Sequence, residues 1–241
     1  MTLEESATHL GEILKSSRHT VFFGGAGVSV ESGIPDFRSV DGLFNSKWKY
    51  PPETVLSHSF FESHTEDFYE FYREKMIALW AKPNPAHKRL AEWERAGKSI
   101  SIVTQNIDGL HQAAGSQVVY ELHGSVHRNR CMECGKLYDV HAVADCEGIP
   151  HCICGGIIKP EVVLYEEPLD DQTVTGAVNA IASADTMIIA GTSLRVYPAA
   201  GLIRYFGGEH LICIDPAAKE MRGAVTLTHP VGKLFEKIHL S

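Results

Sequence analysis

The chain of 241 residues carries 22 Lys and Arg against 30 Asp and Glu, a formal charge of −8, and is 44% apolar. That profile describes one ordinary globular domain, excludes a disordered or fibrous chain, and argues against a nucleic-acid binder, whose phosphate contacts need a surplus of cations. No apolar run approaches the roughly 20 residues of a membrane span, and residues 1–15, which open on Glu4 and Glu5, lack an apolar signal core, so the expected location is the cytoplasm.

Residues 2–15 read as a helix, with Thr2 as N-cap and Leu3, Leu10, Ile13 and Leu14 on one face. Residues 20–23 (TVFF) form a buried strand that runs into Gly24-Gly25-Ala26-Gly27 at the start of a helix. Glycines there let a backbone approach a pyrophosphate, which a helix N-terminus stabilises. The string is incomplete as a dinucleotide fingerprint, because Val30 stands at the third glycine position, and a plain glycine turn weighs equally on these residues alone. Residues 37–50 form a loop, residues 52–96 are helical with breaks at 57–59 and 82–85, and strands follow at 99–104 and 118–122.

Beyond a cysteine-bearing insert at 131–154, a strand is expected at 162–165, a helix at 170–182 and a strand at 187–190. A helix at 198–206, a strand at 211–214 and a helix at 231–238 complete the chain. Apolar, β-branched strands alternating with helices imply an α/β fold, a Rossmann-like doubly wound parallel sheet. Insertions at about 37–79 and 125–159 would form a smaller zinc-binding and helical lobe within the single domain 1–241.

Cys131 and Cys134 make a C-x-x-C, and Cys152 and Cys154 a C-x-C, with 17 residues between the pairs. Two thiolate pairs at such spacing in a reducing compartment suit one tetrahedral, structural Zn²⁺. The short second pair leaves Cys146 or His151 open as substitute ligands, whereas Cys213 sits in a predicted core strand and reads as packing.

Four polar strings follow predicted strands: Gly25-Ala26-Gly27 running on to Ser32-Gly33-Ile34-Pro35-Asp36-Phe37-Arg38, then Thr104-Gln105-Asn106-Ile107-Asp108-Gly109-Leu110-His111, Glu121-Leu122-His123-Gly124 and Gly191-Thr192-Ser193-Leu194. In this order, from about Val21 to Asp215, they resemble the sirtuin family of NAD-dependent protein deacylases. The resemblance implies an enzyme that removes an acyl group from lysine at the expense of NAD⁺. The acyl oxygen would attack C1′ of the nicotinamide ribose, releasing nicotinamide and forming an alkylamidate. Products would be free lysine, nicotinamide and O-acetyl-ADP-ribose.

It further implies that His123 is the catalytic base, for which a near-neutral pKa is suited. Gly25, Ala26, Gly27, Val30, Gly191, Thr192 and Ser193 would hold the dinucleotide. Asp108 would recognise the nicotinamide carboxamide, Gln105 and Asn106 lie near the ribose, and Ile107 packs on the nicotinamide ring. Phe37 would shield the cleaved ribose centre, Arg38 contact a phosphate, and Asp215 accept the adenosine-ribose hydroxyls. A competing reading makes Asn106 and Asp108 helix caps, and His111 and His127 read as structural.

Val162, Val163, Leu164 and Tyr165 on one side, and Leu194 to Tyr197 including Val196 on the other, resemble the two edges between which sirtuins hold the substrate backbone as an added strand. The partner is thus an acylated-lysine protein or peptide, with no nucleic acid and no membrane, and the working unit is expected to be a monomer. Tyr165-Glu166-Glu167 departs from the family's F-G-E. Sirtuins that favour succinyl-lysine resemble one another in a Y-x-x-R pair; here Tyr69 is followed by Tyr72, with Arg73 one residue further, and an uncharged acetyl group is expected. The rival activities are mono-ADP-ribosylation, a longer or acidic acyl group, hydride transfer, and a non-enzymatic zinc adaptor.

Overall fold

Short, largely apolar runs bury both faces of a strand, and β1 (Thr20–Gly24) and β2 (Ile100–Thr104) are buried at every position, Ser101 of β2 included. The computed structural model describes residues 1–37, 39, 42–45, 47–217 and 221–240. The further strands are β3 (Val119–Glu121), β4 (Gly124–Cys131), β5 (Leu137–Tyr138), β6 (Ile158–Val162), β7 (Thr186–Ala190), β8 (His210–Ile214) and β9 (Val225–Leu227). Six of them form one parallel sheet in the order β3-β2-β1-β7-β8-β9, the doubly wound order expected.

The helices are α1 (Leu3–Ser16), α2 (Pro52–Val55), α3 (His58–Ser63), α4 (Thr65–Phe71), α5 (Pro85–Arg95), α6 (Leu110–Ala114), α7 (His141–Ala144), α8 (Asp171–Ser183) and α9 (Val231–Glu236). Thr2 starts α1 through a capping box with Glu5. Alternate strand residues serve opposite faces of the sheet. Phe22, Ile102, Ile188 and Ile212 pack against Leu14, Leu90 and Phe235 from α1, α5 and α9. Val21, Phe23, Val103 and Ile189 pack against Ala177 and Ile181 of α8 and Leu202 of a 3₁₀ helix, Ala199–Tyr205.

The remaining strands make a small antiparallel sheet, β5-β4-β6. Its inner face shares one hydrophobic core with the helical insertion, where Val55, Phe60, Phe68 and Tyr69 meet Val126, Ile158 and Leu164. The two insertions therefore meet in one lobe beside the large sheet. Among the described residues no helix is long and apolar enough to cross a membrane.

Three expectations are corrected. After β1 the chain makes two 3₁₀ turns, Ala26–Val28 and Val30–Ser32, instead of an α-helix. Its amides are drawn to the loop after β7: Gly25 N–H donates to Ala190 C=O at 3.1 Å and Gly27 N–H to Gly191 C=O at 2.9 Å. A Cβ on Gly27 would stand 2.7 Å from Gly191 Cα, so these loops can close on each other only through glycine. The segment at 198–206 is likewise 3₁₀ rather than α-helical, since it turns on i→i+3 bonds such as Gly201 N–H to Pro198 C=O at 2.9 Å. The strand placed at 162–165 is β6, shifted toward the N-terminus because it pairs with β4 of the small sheet; Tyr165 keeps one bridge, to Ser57.

A buried histidine pair gives a stability prediction. His87 of α5 and His111 of α6 are 0% and 1% exposed, their rings 4.6 Å apart, and His87 Nε2 and both His111 ring nitrogens have no hydrogen-bond partner among the described residues. Burial pushes His87 down to about 4 against the opposing pull of Asp108. It holds His111 well below the ordinary range, with His87 adding to the effect. Both are neutral when folded and titrate near 6.5 when unfolded, so the unfolded chain binds more protons below that pH and stability falls as pH drops. The melting temperature should therefore drop by several degrees between about pH 7.5 and pH 5; a flat profile contradicts the pair's neutral burial.

Candidate active site

The strand order reverses direction between β1 and β7, and ligands of open α/β sheets bind in the crevice beyond the carboxyl ends at such a point. A cleft of about 880 Å³ lies there, walled on its other side by the small lobe. It brings together Gly25, Ala26, Gly27, Phe37, Gln105, Asn106, Ile107, Asp108, His123, Gly191, Thr192, Ser193 and Asp215 from the strand ends, with Val162, Val163, Leu164, Tyr165 and Val196.

Val30 does not join them. It starts the second 3₁₀ turn, where an α-helix was expected, and its side chain is 46% exposed outside the cleft. Arg38 lies outside the described residues. Ser29, Asp36, Lys75 and Met76 also line the cleft, beyond the residues expected there. For Lys75 and Met76 no sequence signal existed, because a π-turn over Tyr72–Met76 decides which side chains face inward.

His123 follows β3, and its ring nitrogen Nδ1 lies 3.0 Å from the backbone carbonyl of Gln105. A carbonyl can only accept, so Nδ1 carries the proton and Nε2 presents a lone pair. Burial lowers the pKa of this imidazole, the Gln105 carbonyl opposing in part, so the ring is neutral at physiological pH. Gln105 is itself fixed, its N–H donating to Gly24 C=O at 3.0 Å and its Nε2 to Thr192 Oγ1 at 3.0 Å. Gly124 then turns the chain away at φ +75°, with the Glu161 carbonyl oxygen occupying the place of a Cβ.

Asp108 does two things at once. Its Oδ1 accepts the Leu110 N–H at 2.9 Å, capping α6, and its Oδ2 accepts the Ser29 hydroxyl at 2.6 Å. Asn106 Nδ2 donates to Ser29 Oγ at 3.0 Å, so Ser29, Asn106 and Asp108 form one network on the cleft floor, and Asn106 caps nothing. Asp215, at the end of β8, accepts the Ala217 N–H at 2.7 Å and faces the cleft. The amide of Ala26 has no acceptor among the described residues and remains available to an anion.

The wall at 163–167 is tightly tied. Val163 N–H donates to His123 C=O at 3.0 Å and Tyr165 N–H to Leu56 C=O at 2.9 Å. Glu166 adopts φ 77°, a left-handed backbone that favours glycine, so the departure from F-G-E keeps a glycine-like turn. Its carboxylate accepts the Ser59 N–H at 2.9 Å and the Ser59 hydroxyl at 3.1 Å, which offsets the strain. Glu167 accepts from Leu164 N–H at 2.8 Å, His58 Nδ1 at 2.9 Å and Lys159 Nζ at 3.1 Å.

Tyr69, Tyr72 and Arg73 do not reach the cleft. Tyr69 and Tyr72 are fully buried in the small-lobe core, Tyr69 donating to Ile158 C=O at 2.7 Å, and Arg73 donates to Gly148 C=O at 2.8 Å. Arg73 is thereby committed away from any acyl carboxylate.

The Sγ atoms of Cys131, Cys134, Cys152 and Cys154 all lie within 4.8 Å of one another, two pairs at 3.5 and 3.6 Å. A tetrahedral Zn–S₄ site has sulfur edges of about 3.8 Å, so the set fits one zinc. Cys146 and His151 are not needed: Cys146 donates to Glu147 C=O at 3.3 Å and His151 Nδ1 faces Gly155 C=O at 3.1 Å. Four protein ligands leave no open position, which makes the site structural.

The parallel sheet, the cleft at its reversal point and the four-cysteine lobe define a Rossmann-like α/β protein with a zinc-binding insertion. The chain belongs to the Sir2 family, whose model matches residues 25–198. It is 57% identical over 244 residues to an NAD-dependent protein deacetylase of Clostridium acetobutylicum, covering 99% of this chain and 100% of the relative. It is 47% identical over 209 residues to one from Staphylococcus aureus, covering 86% of each. Among solved structures, one described as the structural basis for the mechanism and regulation of Sir2 enzymes superposes with TM-score 0.85 at 40% identity, covering 97% of this chain and 96% of that one. A Sir2 variant with deacetylated p53 peptide and 3′-O-acetyl ADP ribose superposes with TM-score 0.84 at 36% identity, covering 95% and 96%.

Proposed function

We propose that the chain is an NAD-dependent protein-lysine deacetylase, giving free lysine, nicotinamide and O-acetyl-ADP-ribose. The observation that carries this reading is His123, a neutral imidazole with Nδ1 pinned to a backbone carbonyl and Nε2 free in the cleft. NAD⁺, as co-substrate, supplies an electrophilic ribose carbon from which nicotinamide departs. Nε2 of His123 would take the proton of a ribose hydroxyl as that oxygen attacks the acetyl carbon, whose own oxygen has replaced nicotinamide at C1′, and water would then release the free lysine and leave the acetyl group on ADP-ribose. The loops at 25–27 and 191–193, with the free Ala26 amide, hold the diphosphate, and Asp215 takes the adenosine-ribose hydroxyls. Ile107 and Phe37 exclude water around the reacting carbon. The walls at 162–165 and 194–197 hold the substrate backbone, and the domain works as a monomer in the cytoplasm, a compartment that suits its cluster of thiol ligands. The direct test is nicotinamide release from NAD⁺, which should require an acetyl-lysine peptide; release unaffected by peptide overturns the reading.

Asp108 is assigned to the nicotinamide carboxamide. Asp108→Asn should raise the KM for NAD⁺ and change inhibition by nicotinamide roughly tenfold, the effect of one charge-assisted hydrogen bond, while ADP-ribose binding by calorimetry stays near wild type. Equal losses for NAD⁺ and ADP-ribose would reduce Asp108 to its cap on α6. With Arg73 bound to Gly148, acetyl-lysine peptides should outperform succinyl-lysine peptides in kcat/KM.

A further inference from the structure

Among the described residues the charged side chains that line the cleft each make a hydrogen bond or an ion pair, with one exception. Lys75 pairs with Glu74 at 2.8 Å, Asp36 accepts the Ser39 N–H at 2.7 Å, and the aspartates of the floor hold the bonds given above. On one wall Glu166 is held by Ser59, and Glu167 by His58 and Lys159. Arg195 stands on the opposite wall, exposed, and makes no hydrogen bond or ion pair among the described residues.

The backbone that presents it is tied by local hydrogen bonds. Leu194 sits at φ 53° with its N–H donating to Thr192 Oγ1 at 3.2 Å, and the Val196 carbonyl accepts the Ala200 N–H at 2.9 Å. The chain carries a net charge of −8, and Arg195 is the one charged side chain of the wall at 194–197. A guanidinium is completed most strongly by a carboxylate, through paired N–H···O bonds. Across the groove Glu167 is paired with Lys159, whereas Glu166 is held by neutral donors and keeps its charge, so a strand laid between the walls meets a carboxylate on that side and the Arg195 guanidinium on the other.

We propose that Arg195 is a specificity-determining residue that selects substrate segments carrying an acidic residue beside the acetyl-lysine. The proposal rests on the deacetylase reading for its substrate. A rim charge of this kind acts on encounter and on partner choice, and it weakens with salt.

The test compares acetyl-lysine peptides flanked by Asp with the same peptides flanked by Lys, using the full chain, and reads affinity by fluorescence anisotropy with ADP-ribose present and, in a separate assay with NAD⁺, kcat/KM. Wild type should bind the Asp-flanked peptide about fivefold more tightly, with the ratio falling toward one at high salt. Arg195→Gln should bring the ratio near one, and Arg195→Glu should invert it. An unchanged ratio in Arg195→Glu overturns the proposal. So does a variant that loses both peptides equally while its KM for NAD⁺ rises, which would assign the guanidinium to the dinucleotide. Charge-ordered binding without turnover would uphold the groove's preference and refute the deacetylase reading instead.

Discussion

His123→Ala should lower kcat for peptide deacetylation about 10²–10⁴-fold, the usual cost of removing a general base, with little change in ADP-ribose affinity. The imidazole donates to the Gln105 carbonyl and makes no hydrogen bond to the loops at 25–27 and 191–193 among the described residues. Gln105 keeps its own bonds to Gly24 and Thr192, so the cleft floor should survive the truncation. Because burial keeps the ring neutral, wild-type kcat/KM should already be near its plateau at pH 7 and fall only as pH drops below the ordinary histidine range. A variant that turns over normally, or one that loses ADP-ribose binding in step with activity, contradicts the assignment of His123 as base.

Metal removal should have the largest structural effect. Structural zinc contributes on the order of 10–16 kcal/mol in isolated finger peptides, comparable to or above the whole stability of a typical domain. Cys131 and Cys152 are buried, at 1% and 5% exposure, in the same core as Phe60, Phe68, Val162 and Leu164, so the site fastens the small sheet to the helical insertion. Chelation or Cys131→Ser should unfold that lobe and, through Val162 and Leu164, remove one substrate wall. Metal analysis should find one equivalent of zinc in wild type and in Cys146→Ser, and none in Cys131→Ser. Loss of metal from Cys146→Ser would show that the ligand set is wrong.

The parts of the fold that were legible share one physical trait. β1 and β7 are short apolar runs and β2 is one broken only by Ser101, all three buried at every position, as central parallel strands are. β4 carries no such signal, because Gly124–Cys131 is polar, interrupted by a register shift, and buried irregularly. The glycine turn suggested a helix, but packing of Gly27 on Gly191, 164 residues away in sequence, made it 3₁₀ and turned Val30 outward. His123 and Asp108 were found by resemblance, not by local pattern, since one histidine among 13 carries no distinguishing mark in itself. What could not be read at all was pairing: that Ser59 would hold Glu166, that Gly148 would hold Arg73, and that Arg195 would be left without a partner are consequences of long-range placement.

The fate of the acetyl group tests the central claim most directly. Mass spectrometry of an acetyl-lysine peptide incubated with the protein and NAD⁺ should show the peptide losing one acetyl group while that group appears on ADP-ribose, in equal amounts with free nicotinamide. A peptide that instead gains ADP-ribose, or NAD⁺ that is reduced rather than cleaved, would contradict it.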